Sequence, residues 1–250
     1  MLLWSFHSRG SNAQFLIKRY VDIEIFGNLL GQMQAEGTKK DFKKLEFANK
    51  SIQEHIDFVS YLNDLGILEG FVTDGIFHES IKEKDYEIIK FERLTKRKVR
   101  AKVITSKSKG GFAFKTYIRN ALLTDLILFS MDFIRKNLIE STWNKNSIKL
   151  FESFFAKVLT GDGTIDIDNK DRNIPQARLS ITDGNPKYLE DYALLMKKYG
   201  LNPIINYKWI YVRAFLNPYY IKKLKEIKAF KNNPNDEKLN YLLSFIDQPI

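Results

Sequence analysis

Apolar and polar positions along this chain alternate in two rhythms, and the same succession of rhythms occurs twice. Setting "LEFANKSIQEHIDFVSYLNDLGI" over "LSITDGNPKYLEDYALLMKKYGL" puts Leu45 on Leu179, Phe47 on Ile181, Asp57 on Asp191, Phe58 on Tyr192 and Gly66 on Gly200, at a constant offset of 134 residues. Each copy opens with a period of two, Leu45 and Phe47 or Leu179 and Ile181, which predicts a strand with one face on a core. A polar turn follows, Asn49–Ser51 or Asp183–Pro186. The period then lengthens. Ile52, Ile56, Val59 and Leu62, or Leu189, Tyr192, Leu195 and Tyr199, recur as one face of a helix. Gly66 and Gly200 close those helices, as glycine does where the backbone turns left-handed.

Upstream of each copy, "FGNLLGQMQAEGT" and "ESFFAKVLTGDGT" read as apolar helices that both end acid–Gly–Thr. Phe26, Leu29, Leu30 and Met33 form one stripe; Phe151, Phe154, Phe155 and Val158 form the other. The acids are 126 residues apart, so the second copy has more chain between this helix and its strand, and "DNKDRNIPQ" predicts a longer hairpin tip. Downstream, "RKVRAKVIT", "GFAFKTYI" and "ALLTDLILFSMDFI" answer "PIINY", "WIYVRAF" and "PYYIKKLKEIKAF". The stretch between Gly66 and Arg97 has no counterpart and reads as an insertion. The shared order is helix, strand, strand, helix, strand, strand, helix. It predicts an α+β chain of two subdomains, 12–140 with an insertion near 67–97, and 141–250. Each is small for a core of its own, and the two helices rich in Phe and Leu are candidates to pack together.

Composition then narrows the chemistry. There is no cysteine, and the three histidines, His7, His55 and His78, lack the spacing of metal ligands, which argues against disulfides and zinc. The apolar opening is broken by His7 and Arg9, too early for a signal-peptide core. The richest apolar stretch carries Asp125 and Asp132, so no membrane span is expected. The expectation is an intracellular protein of the cytoplasm, nucleoid or an organelle. Forty Lys+Arg against thirty Asp+Glu give a net charge of +10, which suits a polyanion such as a nucleic-acid backbone.

The segments "LLGQMQAEG" (Leu29–Gly37) and "FAKVLTGDG" (Phe155–Gly163) resemble the two motifs of single-chain LAGLIDADG homing endonucleases. The order of elements after each motif is similar to that family's as well. The resemblance implies two pseudo-twofold-related αββαββα subdomains whose antiparallel sheets form a DNA-binding saddle, with the motif helices packed side by side. It also implies an intron- or intein-derived enzyme that hydrolyses double-stranded DNA at a long asymmetric site, as a monomer, with Mg2+ or Mn2+. No cysteine is available to begin protein splicing.

Glu36 and Asp162 would be the catalytic, metal-binding acids, with Ala35 and Gly161 immediately before them in the metal shell. A carboxylate at a helix C-terminus is unfavourable by about 0.3–1 kcal/mol. A matched pair so placed asks for a cation, and magnesium takes oxygen ligands while keeping several waters. The family adds a lysine near each metal; Lys136 in "FIRKN" and Lys231 in "AFKNN" stand at the matching place, with Lys39 and Lys115 as competitors.

For DNA, strand parity puts Gln176, Arg178, Ser180 and Thr182 opposite Ala177, Leu179 and Ile181, and Lys44 and Glu46 opposite Leu45 and Phe47. Lys39, Lys102, Lys115, Lys208 and Arg213 complete the expected DNA-facing set. Two departures stand out. The first motif ends in Glu, which keeps the carboxylate on a longer stem. The second has Lys157 where the first has Gly31, so Ala156, Thr160 and Gly161 are expected to supply the close helix contact.

"DGTIDIDNKD" lacks the glycine and closing glutamate of a calcium loop and reads as a strand with a polar tip. "TKRKVRAK" (Thr95–Lys102) reads as a phosphate-facing strand edge rather than a nuclear signal. Two rival readings keep the fold and drop the nuclease: an RNA maturase with intron RNA as partner, and a catalytically silent DNA-binding protein. Both acids being intact favours the enzyme.

Overall fold

A computed structural model of the chain describes residues 2–6, 12–37, 44–106, 111–168, 176–183, 185–206, 209–212, 218–231 and 233–246. The first elements are β1 (Leu2–Phe6), β2 (Asn12–Leu16), α1 (Ile23–Glu36), β3 (Leu45–Asn49), α2 (Ile52–Asp64) and β4 (Phe71–His78). Next come α3 (Lys84–Thr95), β5 (Val99–Thr105), β6 (Phe112–Ile118), α4 (Ala121–Glu140), α5 (Lys145–Asp162) and β7 (Gly163–Asp168). The last are β8 (Gln176–Thr182), α6 (Pro186–Lys198), β9 (Ile204–Asn206), β10 (Trp209–Val212), α7 (Pro218–Glu226) and α8 (Asn235–Ile246). The chain is α+β, and none of its described helices is long and apolar enough to cross a membrane. It divides into two units, one of residues 1–25 with 36–130, the other of residues 26–35 with 131–250.

Unit 1 holds a four-stranded sheet in the order β3-β6-β4-β5, and β1 pairs with β2 as a separate antiparallel ribbon. The four strands are antiparallel except for β4 and β5. Those two run parallel because α3 carries the chain back across the sheet between them, the crossover that parallel pairing requires. Phe77, Phe91 and Phe114 are fully buried at its core, with Ile52, Ile88 and Phe112 packed against them.

Unit 2 holds the antiparallel sheet β7-β8-β10-β9. Its buried face carries Ile165, Leu179, Ile181 and Ile210. Sheet position makes β4 the counterpart of β9, since each flanks the strand that pairs with β3 or β8. Besides the β1–β2 ribbon, the elements peculiar to unit 1 are therefore α3 and β5. "RKVRAKVIT" forms the added edge strand, whereas the strand expected in its place is β4, inside the stretch that reads as an insertion. Thr73 and Gly75 take places on the buried face of β4, where an apolar side chain is expected, and hide the strand from a hydropathy pattern. The helix α8 also lies beyond the expected order.

The repeat extends to the helix ends. α2 and α6 occupy the same positions of the two copies, capped by Ser51 and Asn185, whose side chains accept from Glu54 N–H and Lys187 N–H. At their ends Gly66 and Gly200 take φ of 99° and 92°. Gly66 N–H bonds Asn63 O and Ile67 N–H bonds Leu62 O; Gly200 N–H bonds Lys197 O and Leu201 N–H bonds Met196 O. This is the Schellman closure that a left-handed C′ residue makes possible.

α1 is capped by Asp22, whose carboxylate accepts from Glu24 N–H and Ile25 N–H. Its middle turns, Phe26–Ala35, belong to unit 2, as does α5. A Cβ on Gly31 would stand 2.2 Å from the Phe154 carbonyl oxygen, and one on Gly27 would stand 2.9 Å from that of Leu150. The glycines of α1, Gly27 and Gly31, thus supply a close approach of the two motif helices. Lys157 is accommodated because its partner is Gly31, whose missing Cβ leaves room for Lys157 Cβ. In Gly31→Ala the gain in helix propensity of about 1 kcal/mol should be outweighed by an overpacking cost of about 3 kcal/mol, for a net loss of about 2 kcal/mol in urea unfolding. A more stable variant would show that the helices do not meet here.

Candidate active site

Glu36 is the last residue of α1, and the next residue, Gly37, pairs with Phe47 of β3. In the second copy Asp162 ends α5, and Gly163 pairs with Ile181 of β8. These are the same repeat positions. The two acids fall in different units, Glu36 in unit 1 and Asp162 in unit 2.

In unit 1, Glu36 Oε1 accepts from Asn49 Nδ2 at 3.3 Å. Asn49 Oδ1 accepts from Ser51 N–H at 2.7 Å, which leaves the amide nitrogen to face the acid. Burial pushes the Glu36 carboxyl above its ordinary value, and the negative charge of Glu54 adds to the shift.

In unit 2, Gly163 N–H bonds Leu159 O at the end of α5. Asn233 Nδ2 donates to Thr160 O at 2.7 Å, and Asn235 both donates to Gly163 O and accepts from Ile165 N–H. Nearby Tyr192 is buried. Its hydroxyl is pushed well above its usual range, by burial first and then by the charges of Asp183 and Asp162. Asp183 holds the repeat position of Asn49. Its Oδ2 and the Tyr192 hydroxyl are buried without a hydrogen-bond partner among the described residues.

Glu36 therefore sits where burial and the charge of Glu54 disfavour its negative charge, the setting a hard divalent cation fits, and Asp162 holds the matching place at the end of α5. Among the described residues no three acidic or histidine side chains converge on one point. A cation there would complete its shell with water or phosphate oxygens.

The outer face of the unit 1 sheet gathers Lys44, Glu46 and Lys115, all singled out from the sequence. Both lysines pair with Glu46, which is itself buried. Tyr117 lies on the same face with Lys44, Arg100 and Arg119 over its ring, and its hydroxyl donates to Asp74. In unit 2, Arg178, Ser180 and Thr182 share a face, with Ala177, Leu179 and Ile181 buried on the other. Arg178 lies over Trp209 and Tyr211; Ser180 is covered, Thr182 exposed.

The basic run is tied to acids of its own unit: Lys98 to Glu92, Arg100 to Asp74, Lys102 to Asp85. Such exposed pairs are worth about 0–1 kcal/mol, so a phosphate can displace them. Lys39, Lys208, Arg213 and the side chain of Gln176 lie outside the described residues.

Lys136 and Lys231 are exposed. The buried cation of this region is Arg135, on the turn beside Lys136. Its Nε donates to Asp191 at 2.7 Å, Nη1 to Gln34 at 3.1 Å and Nη2 to Asp132, and its guanidinium lies 4.2 Å from the Tyr188 ring centre. Burial alone would lower its pKa, but the bonds to Asp191 and Asp132 outweigh that and raise it. Helical spacing separates the two: Arg135 follows Leu123, Ile127 and Met131 at every fourth residue on the buried stripe of α4, and Lys136 falls off it. Asn233 and Asn235, in "KNNPND", give the sequence no sign that they would hold the end of α5.

No family model matches the sequence, and no curated protein matches it. Among solved structures the chain is similar to a meganuclease, I-SmaMI, bound to uncleavable DNA with a TTGT central four, at a TM-score of 0.45 and 12% identity over 92% of this chain and 90% of that one. It is also similar to a lysine-to-alanine mutant of I-SmaMI, at a TM-score of 0.38 and 10% identity over 90% of this chain and 99% of that one.

Two measurements follow from the charges. A carboxyl whose folded pKa is raised stabilises fully below its ordinary value near 4.5 and loses that contribution as pH rises through the folded value. Glu36→Gln should therefore be more stable than wild type at neutral pH in metal-free buffer, the gap closing in acid below that ordinary value; a gap that widens in acid would contradict the burial. Arg135→Ala should lose about 3–5 kcal/mol by leaving buried charge uncompensated. Lys136→Ala should stay within about 0.5 kcal/mol of wild type, and equal losses would refute the distinction.

Proposed function

We propose that this chain is a LAGLIDADG-type homing endonuclease, a monomer that cuts both strands of duplex DNA at a specific, asymmetric site. The observation that carries the reading is the pair of carboxylates, Glu36 and Asp162, each ending an apolar helix and each followed by a glycine that opens the same strand pairing.

Glu36 with Asn49 beside it, and Asp162 with Asp183 in the same neighbourhood, would hold magnesium or manganese. The ion, when bound, makes water a better nucleophile and stabilises charge on the leaving oxygen. The reaction is hydrolysis: a water oxygen bonds phosphorus, a bridging P–O bond breaks, and the departing oxygen gains a proton. Asn49 Nδ2 holds one Glu36 oxygen. Asn233 and Asn235 tie the end of α5 to β7 and so fix the backbone that carries Asp162. The cation-rich outer faces, with Tyr117 in one sheet and Trp209 and Tyr211 in the other, suit phosphates and base edges. Their unlike residues, Lys44 and Glu46 against Arg178 and Ser180, suit unlike half-sites.

A randomised duplex library incubated with the protein and magnesium, followed by end sequencing, should return one long target that is not an inverted repeat. Glu36→Gln and Asp162→Asn should each lose double-strand cleavage yet still retard the target in a gel, and chelation should stop the wild type. Full double-strand cleavage by either variant would sink the assignment.

A further inference from the structure

Behind Glu36 runs a line of hydrogen bonds that the nuclease reading leaves unused. His55, on α2, is buried to 1% exposure. Its Nε2 lies 3.0 Å from the Asn49 carbonyl oxygen, which can only accept, so Nε2 carries the ring proton. In the neutral ring Nδ1 must then accept, and the Thr116 hydroxyl donates to it at 2.9 Å. With the Thr116 proton so committed, the Thr73 hydroxyl donates to Thr116 at 3.0 Å. Burial lowers the His55 pKa to about 4, against the opposing pull of the Asn49 carbonyl, so the ring is neutral at physiological pH. Phe47, Phe91 and Phe114 meet the ring at steep angles and hold its plane.

The line ends on Asn49. Its carbonyl accepts from His55 Nε2–H, its Oδ1 accepts from Ser51 N–H, and its Nδ2 is left to face Glu36. Backbone and side chain of one residue are thereby fixed from two sides. We infer that His55 is a positioning residue for Glu36, setting through the Asn49 carbonyl the amide that orients the acid. The inference rests on the nuclease reading for what Glu36 does. At the matching positions of the second copy stand Leu189 and Asp183, so the device serves one half alone. A histidine that merely filled the core would favour neither half.

The test is strand-resolved cleavage of the mapped target, scoring the strand that Glu36→Gln leaves uncut. His55→Leu should slow that strand about ten-fold and change the other by less than about two-fold, as loss of an outer support does to a metal-binding acid. Asn49→Ala should do the same, and the double variant should be no slower than Asn49→Ala, because one acts through the other. His55→Gln, which keeps a donor for the Asn49 carbonyl, should recover most of the rate. Thr116→Val asks the same question with the ring kept, should His55→Leu fail to fold.

A second readout needs no cleavage. In an Asp162→Asn background, the manganese concentration that half-saturates the thermal shift should rise about ten-fold in His55→Leu. Equal slowing of both strands, multiplying effects of His55→Leu and Asn49→Ala, or an unmoved manganese midpoint would each overturn the inference. A wild type that cuts no duplex would overturn the nuclease reading instead, and the manganese midpoint would then decide the role of His55 by itself.

Discussion

The contact of α1 with α5 is the constraint on which the rest of unit 2 turns. Leu150 and Phe154 present carbonyl oxygens where Cβ atoms of α1 would stand, with the Ser153 and Lys157 Cβ atoms beside them, so the glycines of α1 lie directly on the α5 backbone. Bare contact of this kind tolerates neither a slide nor a rotation of one helix on the other, because the next residue in either direction brings a side chain into the gap. One turn further along, Gln34 is gripped by Arg135. A buried guanidinium is expensive to desolvate and earns little net stability, but its three acceptors on α1, α4 and α6 define a single arrangement of those helices.

Much of this was legible before any coordinates. Repetition of Leu45 and Phe47 in Leu179 and Ile181 gave both core strands, and the helices between the polar turn and glycine ran as the periodicity required. What periodicity could not reach was pairing across space. β4 escaped because Thr73 and Gly75 stand where its buried face should be apolar. Buried polar partners escaped for a different reason: Arg135, Asn233 and His55 are ordinary residues until folding sets an acceptor beside each one. Lysine-rich sequence compounds the difficulty, since many exposed lysines resemble Lys136 equally well.

The halves are alike in frame and unlike in lining. Their caps, closing glycines and first strand pairings coincide residue by residue, yet beneath them Asn49 faces Asp183 and His55 faces Leu189 across the alignment. Backbone features repeat because they are set by local chemistry that a duplicated segment carries with it. Interior polar groups have diverged because each must be satisfied by neighbours particular to its own unit. In unit 1 the interior line is complete from Thr73 to Glu36, whereas in unit 2 the Asp183 oxygen and the Tyr192 hydroxyl find no protein partner among the described residues.

The strand β5 has a consequence for how the protein behaves in a crowded solution. Among the described residues it is the outer strand of its sheet, and Val103 and Ile104 are about half exposed on it. A free apolar margin of that sort is a template on which another chain can add itself. Arg100 and Lys102 interrupt it, and each is neutralised within its own chain by Asp74 or Asp85. An approaching strand would have to strip these cations of both water and their carboxylate partners, so the added element guards its own border against self-association.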